Sequence, residues 1–181
     1  MKRALLVIDV QNEYISGKLP IQYPINSLNN ILKAVDTANE KNIPVILIQH
    51  TSLQENALTF KKGSNEWEIP NELITRKHCH IIEKNLPSSF NNTNLEQVLK
   101  DMEIDTITIA GYMSQMCCDT TARQAMHMGY SVEFLSDATG TIQLSNNAGT
   151  ISAEALHKTI LIIQASRFSK VLTLEEWVSK L

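Results

Sequence analysis

The sequence predicts a single-domain, Rossmann-like three-layer α/β/α fold over residues 1–181, with a mostly parallel sheet of about six strands. Three observations carry that expectation. The chain has 181 residues, about one domain's worth, and can bury a core without metal or disulfide staples. Its 43% hydrophobic and 19% charged content excludes a disordered or collagen-like chain. Short continuous apolar runs alternate with segments of helical period, which in one domain implies parallel strands covered by helices on both faces.

The elements follow in order. The apolar run ALLVIDV between Arg3 and Val10 suits a strand buried on both faces. Leu28, Ile31, Leu32 and Val35 recur at helical spacing, with Ser27 placed to cap. Ile43 to His50 is a second buried strand. Thr51 to Asn71 is polar and without sustained period, a length typical of functional loops. Cys79 to Lys84 forms a third strand. Thr93 and Glu96 have capping-box spacing ahead of Leu95, Val98 and Leu99. Asp105 to Gly111 is a strand, and Cys117, Thr121, Ala125 and Met128 share a helix face that ends at Gly129. Tyr130 to Ser136 and Phe168 to Leu172 are strands. Between them, Ala153 to Ala165 is helical and apolar on most sides, and Thr173 with Glu176 forms a second capping box before Trp177.

Composition narrows the partners. Sixteen Lys and Arg against nineteen Asp and Glu give a formal charge of −3, so there is no basic excess to neutralise phosphates and no expected nucleic-acid partner. No apolar run approaches the roughly 20 residues of a membrane span. The opening MKRALLVIDVQNEY reaches Asp9 without a small-residue cleavage pattern and does not read as a signal peptide. Three cysteines, two of them adjacent, are not a disulfide framework, and a reducing, cytoplasmic setting is expected.

Ligands of parallel sheets bind beyond the carboxyl ends of the strands. Those ends carry Asp9, Gln49-His50, Glu83-Lys84, Gly111-Tyr112 and Ser136-Asp137. Six residues past Gly111 comes Cys117. With Ser114 as a cap, Cys117 would lie in a first helical turn, where free N–H groups and the dipole favour a thiolate and can hold an oxyanion. Asp9 could take the thiol proton and Lys84 could stabilise the developing charge, which makes a Cys–Asp–Lys acyl-transfer site. Each residue also has a plain reading: a core cysteine, a turn aspartate, a solvated lysine.

The blocks Asp9-Val10-Gln11-Asn12-Glu13-Tyr14, Lys84 with Ser88-Ser89-Phe90 and Thr93-Asn94-Leu95, and Gly111-Tyr112-Met113-Ser114-Gln115-Met116-Cys117 resemble motifs of one family. These are the isochorismatase-like cysteine hydrolases, which include nicotinamidases, N-carbamoylsarcosine amidase and streptothricin hydrolase-like proteins. The resemblance runs from Ala4 to about Trp177. It implies a catalytic triad of Asp9, Lys84 and Cys117, an oxyanion hole of the Met113 and Cys117 backbone N–H groups, and a cis peptide at Tyr112–Met113. It also implies substrate contacts by Gln11, Tyr14, His50, Trp67, Phe90 and Tyr112, and a homodimer or homotetramer. Gly63-Ser64-Asn65-Glu66-Trp67-Glu68-Ile69 resembles the streptothricin hydrolase-like branch in particular. Where metal-binding members carry Asp-x-His after the second strand, this chain reads Gln49-His50-Thr51-Ser52, so no metal and no other cofactor is expected.

Other motifs weigh less. Adjacent Cys117 and Cys118 point about 100° apart on a helix and do not suit a disulfide. Strand alternation separates Cys79 from His78 and His80. No GxGxxG or Walker motif is present. His157, in an apolar helix, reads as a satisfied core or subunit-contact histidine. The expected activity is hydrolysis of a small amide or related C–N bond through a thioester. The rival is an idle or redox-sensing scaffold with a reactive Cys117.

Overall fold

A computed structural model describes residues 1–181. Six strands, β1 (Arg3–Ile8), β2 (Val45–His50), β3 (His80–Lys84), β4 (Thr106–Tyr112), β5 (Ser131–Gly140) and β8 (Lys170–Leu172), form one sheet in the order β3-β2-β1-β4-β5-β8. All five pairings are parallel. The helices are α1 (Ser27–Glu40), α2 (Asn71–Ile74), α3 (Leu95–Asp101), α4 (Asp119–His127), α5 (Ala153–Ile163) and α6 (Leu174–Val178).

Alternation along the central strands sorts the core into two layers. Leu5, Val7, Val45 and Leu47 pack with Ile31, Ala34, Val35 and Ala38 of α1 and with Trp177 of α6. Leu6, Ile8, Ile46 and Ile48 face the other way, onto Leu95, Val98 and Leu99 of α3 and Ala122 and Ala125 of α4. The unbroken apolar runs in the sequence are therefore strands with two dry faces.

Several local expectations are corrected. Ser27 lies inside α1 and shares a hydrogen bond with the Tyr112 hydroxyl, so it does not cap. Thr93 donates to the Ser89 carbonyl and accepts from Leu95 N–H at 3.3 Å, but the residue before α3 is Asn94, which makes no side-chain cap, so the Thr93–Glu96 box does not form. The Thr173–Glu176 capping box is present. β5 runs to Gly140, past the expected end at Ser136, because its pairing with β4 slips: Ile109 faces Phe134 but Gly111 faces Thr139. A small antiparallel hairpin, β6 (Leu144–Asn146) with β7 (Gly149–Ile151), is polar and exposed, and its three-residue strands leave no periodic signal.

Candidate active site

Asp9 immediately follows β1, in the left-handed backbone region at φ 52°. Lys84 ends β3, two strands away across the sheet. Cys117 sits in a π-helical turn, Ser114–Cys118, that joins β4 to α4. Gly111 lets that strand pass close to β1: it has φ 118°, and a Cβ there would overlap the Ile8 backbone. The strand-end rule thus collects three residues separated by 75 and 33 positions into one buried cluster.

Lys84 Nζ is the hub. It lies 2.8 Å from Asp9 Oδ2 and donates to Cys117 Sγ at 3.2 Å, to the Leu86 carbonyl at 3.1 Å and to His50 Nδ1 at 3.3 Å. The Asp9 and Lys84 side chains are buried, and neither Asp9 oxygen has a hydrogen bond of good geometry. Burial opposes the Lys84 charge, but Asp9 and Cys117 outweigh it and hold the ammonium above its ordinary pKa. His50 goes the other way: burial, then the Lys84 charge, lowers its pKa and keeps the ring neutral.

The thiol itself departs from expectation. Cys117 is 7% exposed, and burial, reinforced by the Asp9 charge, pushes its pKa well above the ordinary thiol value despite Lys84. Burial thus opposes the thiolate expected from a helix start. Ser114 does not cap: its hydroxyl is engaged by His157 Nδ1 at 2.7 Å, and the turn opens on Met113 without any side-chain cap. The Tyr112–Met113 peptide is cis.

The remaining residues divide. Tyr14, Phe60 and His50 form an aromatic wall, Tyr14 tilted on Phe60 at 5.2 Å and His50 edge-on to Phe60 at 5.1 Å. Sequence reasoning missed Phe60, which lies in the aperiodic loop. Tyr112 meets Tyr14 edge-on at 5.6 Å, with its hydroxyl turned away to Ser27. Gln11 is fully buried and acts as a clamp: its Oε1 accepts from His50 N–H, while Nε2 donates to the carbonyls of His50 and Trp67. Its amide is directed at backbone, so it orients the loop where a substrate contact was expected. Trp67 Nε1 donates to Thr51 Oγ1, so the indole anchors its own loop. Phe90 packs in the α3–α4 core and stacks on Tyr130 at 6.2 Å, away from the aromatic wall. Asp137, expected on the same rim, falls in the slipped part of β5, where its carboxylate accepts from Leu174 N–H and its carbonyl from Asn30.

The Isochorismatase domain family matches residues 3–176. Nicotinamidase 3 of Arabidopsis thaliana is 32% identical over 161 residues, covering 82% of this chain and 78% of that protein. A crystallised protein of Burkholderia xenovorans LB400 superposes with a TM-score of 0.95 at 42% identity, covering 98% of this chain and 86% of that one. A cysteine hydrolase from Pseudomonas syringae pv. phaseolicola 1448A superposes with a TM-score of 0.91 at 25% identity, covering 99% of this chain and 92% of that one. The fold, the order of the motifs along the chain and these likenesses agree: the chain belongs to the isochorismatase family of hydrolases.

Proposed function

We propose that the chain is a cysteine-dependent hydrolase of small amides or related C–N bonds, with Asp9, Lys84 and Cys117 as its triad. The observation that carries the reading is the buried Lys84 ammonium held between Asp9 Oδ2 and Cys117 Sγ. Asp9 takes the proton from the thiol, and the sulfur attacks the carbonyl carbon. Lys84 stabilises the thiolate as it forms, and the Met113 and Cys117 N–H groups receive the oxyanion. The C–N bond breaks as Asp9 returns the proton to the departing nitrogen, leaving a thioester. Asp9 then takes a proton from water, hydroxide adds to the thioester, and the acid leaves with the thiolate reprotonated. A thiol that is neutral at rest suits this sequence, since the base beside it creates the nucleophile only when substrate arrives. It suits a redox sensor poorly, because sensor cysteines are exposed and of low pKa.

The aromatic wall of Tyr14, Phe60 and neutral His50 favours an uncharged, flat substrate over an ionic one. No helix is long and apolar enough to cross a membrane. Helix α5 buries only Ala153 and His157 and leaves Ile162 71% exposed, which supports a homo-oligomer that covers it. A panel of small amides scored for ammonia release, with Cys117→Ala as control, tests the activity. Turnover that survives Cys117→Ala overturns the mechanism.

A further inference from the structure

His157 lies on α5, forty residues beyond the nucleophile, and is buried to 1% exposure. Nε2 meets the Ser136 carbonyl at 2.8 Å and Nδ1 meets the Ser114 hydroxyl at 2.7 Å. A carbonyl only accepts, so Nε2 carries the proton and donates; Nδ1 of the neutral ring is then bare and accepts from Ser114. No charged side chain adds to this environment: Tyr23 faces the ring edge-on at 5.6 Å, and Glu154 and Lys158 of the same helix pair with each other at the exposed surface. Burial favours the neutral ring, in keeping with the two hydrogen bonds.

Ser114 is the first residue of the π turn that presents Cys117. The Met113 carbonyl takes both the Met116 and Cys118 N–H groups, and the Asp119 N–H closes the turn onto the Ser114 and Met116 carbonyls. Its first side chain, that of Ser114, donates to His157. The turn is therefore tied to β5 through Ser114, His157 and the Ser136 carbonyl, while Asp9 and Lys84 are tied to β1 and β3. We infer that His157 is a positioning residue, which through Ser114 fixes the distance between Cys117 Sγ and its Asp9–Lys84 partners. The inference rests on the thiol chemistry proposed above. Misplacing a reacting group by about 1 Å can lower a rate roughly a hundredfold.

The test compares two amides at one position. In His157→Gln the amide nitrogen reaches the place of Nε2 and keeps the Ser136 bond, but no acceptor remains for Ser114. In His157→Asn the amide oxygen takes the place of Nδ1 and keeps the Ser114 bond. His157→Gln and Ser114→Ala should each lower kcat about ten- to a hundredfold with KM changed less than about threefold. They should slow iodoacetamide alkylation of the Cys117 peptide, followed by mass mapping, in parallel. The double variant should be no slower than the worse single one, and His157→Asn should recover most of the loss. Equal rates in His157→Gln, His157→Asn and wild type, whatever their melting temperatures, overturn the inference. Because alkylation needs no substrate, it decides the role of His157 even if no amide is turned over, an outcome that would instead count against the hydrolase reading.

Discussion

Two buried carboxylates sit near opposite ends of one sheet and are solvated very differently. Glu133, on β5, is saturated: its oxygens accept from Arg3 Nε and Nη2, from Thr108 Oγ1 at 2.8 Å and from Trp177 Nε1 at 3.0 Å. Asp9 has only the Lys84 ammonium and no hydrogen bond of good geometry on either oxygen. Burial raises the Glu133 pKa, but its hydrogen bonds and Arg3 prevail and hold it below the ordinary value. A carboxylate with every lone pair occupied is a rivet. One left with open lone pairs in a dry site can receive a proton, which is what the proposed chemistry asks of Asp9.

Exchanging charge for a neutral isostere at each site should separate the two roles. Asp9→Asn should lower kcat by about 10²–10⁴ in an ammonia-release assay, and near-wild-type turnover in the folded variant would remove Asp9 from the mechanism. Adding Lys84→Met deletes the now unpaired buried cation, so the double variant should be more stable than Asp9→Asn in urea unfolding yet equally inactive. Glu133→Gln should do the reverse, lowering unfolding free energy by about 3 kcal/mol with kcat changed less than twofold. The pH dependence sharpens this. A depressed folded pKa stabilises the protein above the unfolded value of about 4.3, and that contribution is lost as pH falls through the folded pKa. The gap in stability between wild type and Glu133→Gln should therefore narrow as pH falls below about 4.3 and close once pH passes the depressed folded pKa. The smallest effect expected is from chelation. No group of three His, Cys, Asp or Glu side chains is arranged to hold a metal ion, and His50 is flanked by Gln49 and Thr51. Dialysis against EDTA should leave turnover unchanged, and loss restored by zinc or manganese would overturn a metal-free mechanism.

The contrast also marks how far a sequence can be read. The sheet that positions Asp9, Lys84 and Cys117 is legible because runs such as Leu5–Ile8 and Val45–Ile48 are apolar on both faces, and the strand-end rule then singles out the polar residues at and just beyond the carboxyl ends. The Glu133 cluster was not legible: Arg3 and Glu133 stand 130 positions apart, and neither has a local partner to betray it. Caps failed for a related reason. Ser27, Thr93 and Ser114 each have the right chemistry for an N-cap, but tertiary packing sets where each helix starts and turns their hydroxyls to Tyr112, the Ser89 carbonyl and His157; only Thr93 Oγ1 also accepts from a helix N–H, that of Leu95. The upward push on the Cys117 thiol is not legible, because spacing reveals a neighbouring lysine but not the burial that outweighs it.

Gln11 fixes both ends of the loop between β2 and α2, gripping His50 where the loop departs and the Trp67 carbonyl where it returns. Of the intervening residues, Leu53 and Leu58 are exposed, while Phe60 packs edge-on to His50 beside Lys84. Lengthening such a tethered segment is inexpensive, about 0.6 kcal/mol for each doubling. Under the proposed hydrolase chemistry, a graft between the two anchor points should keep Phe60, whose ring bears on His50 and through it on Lys84, and vary the exposed stretch around Leu53 and Leu58.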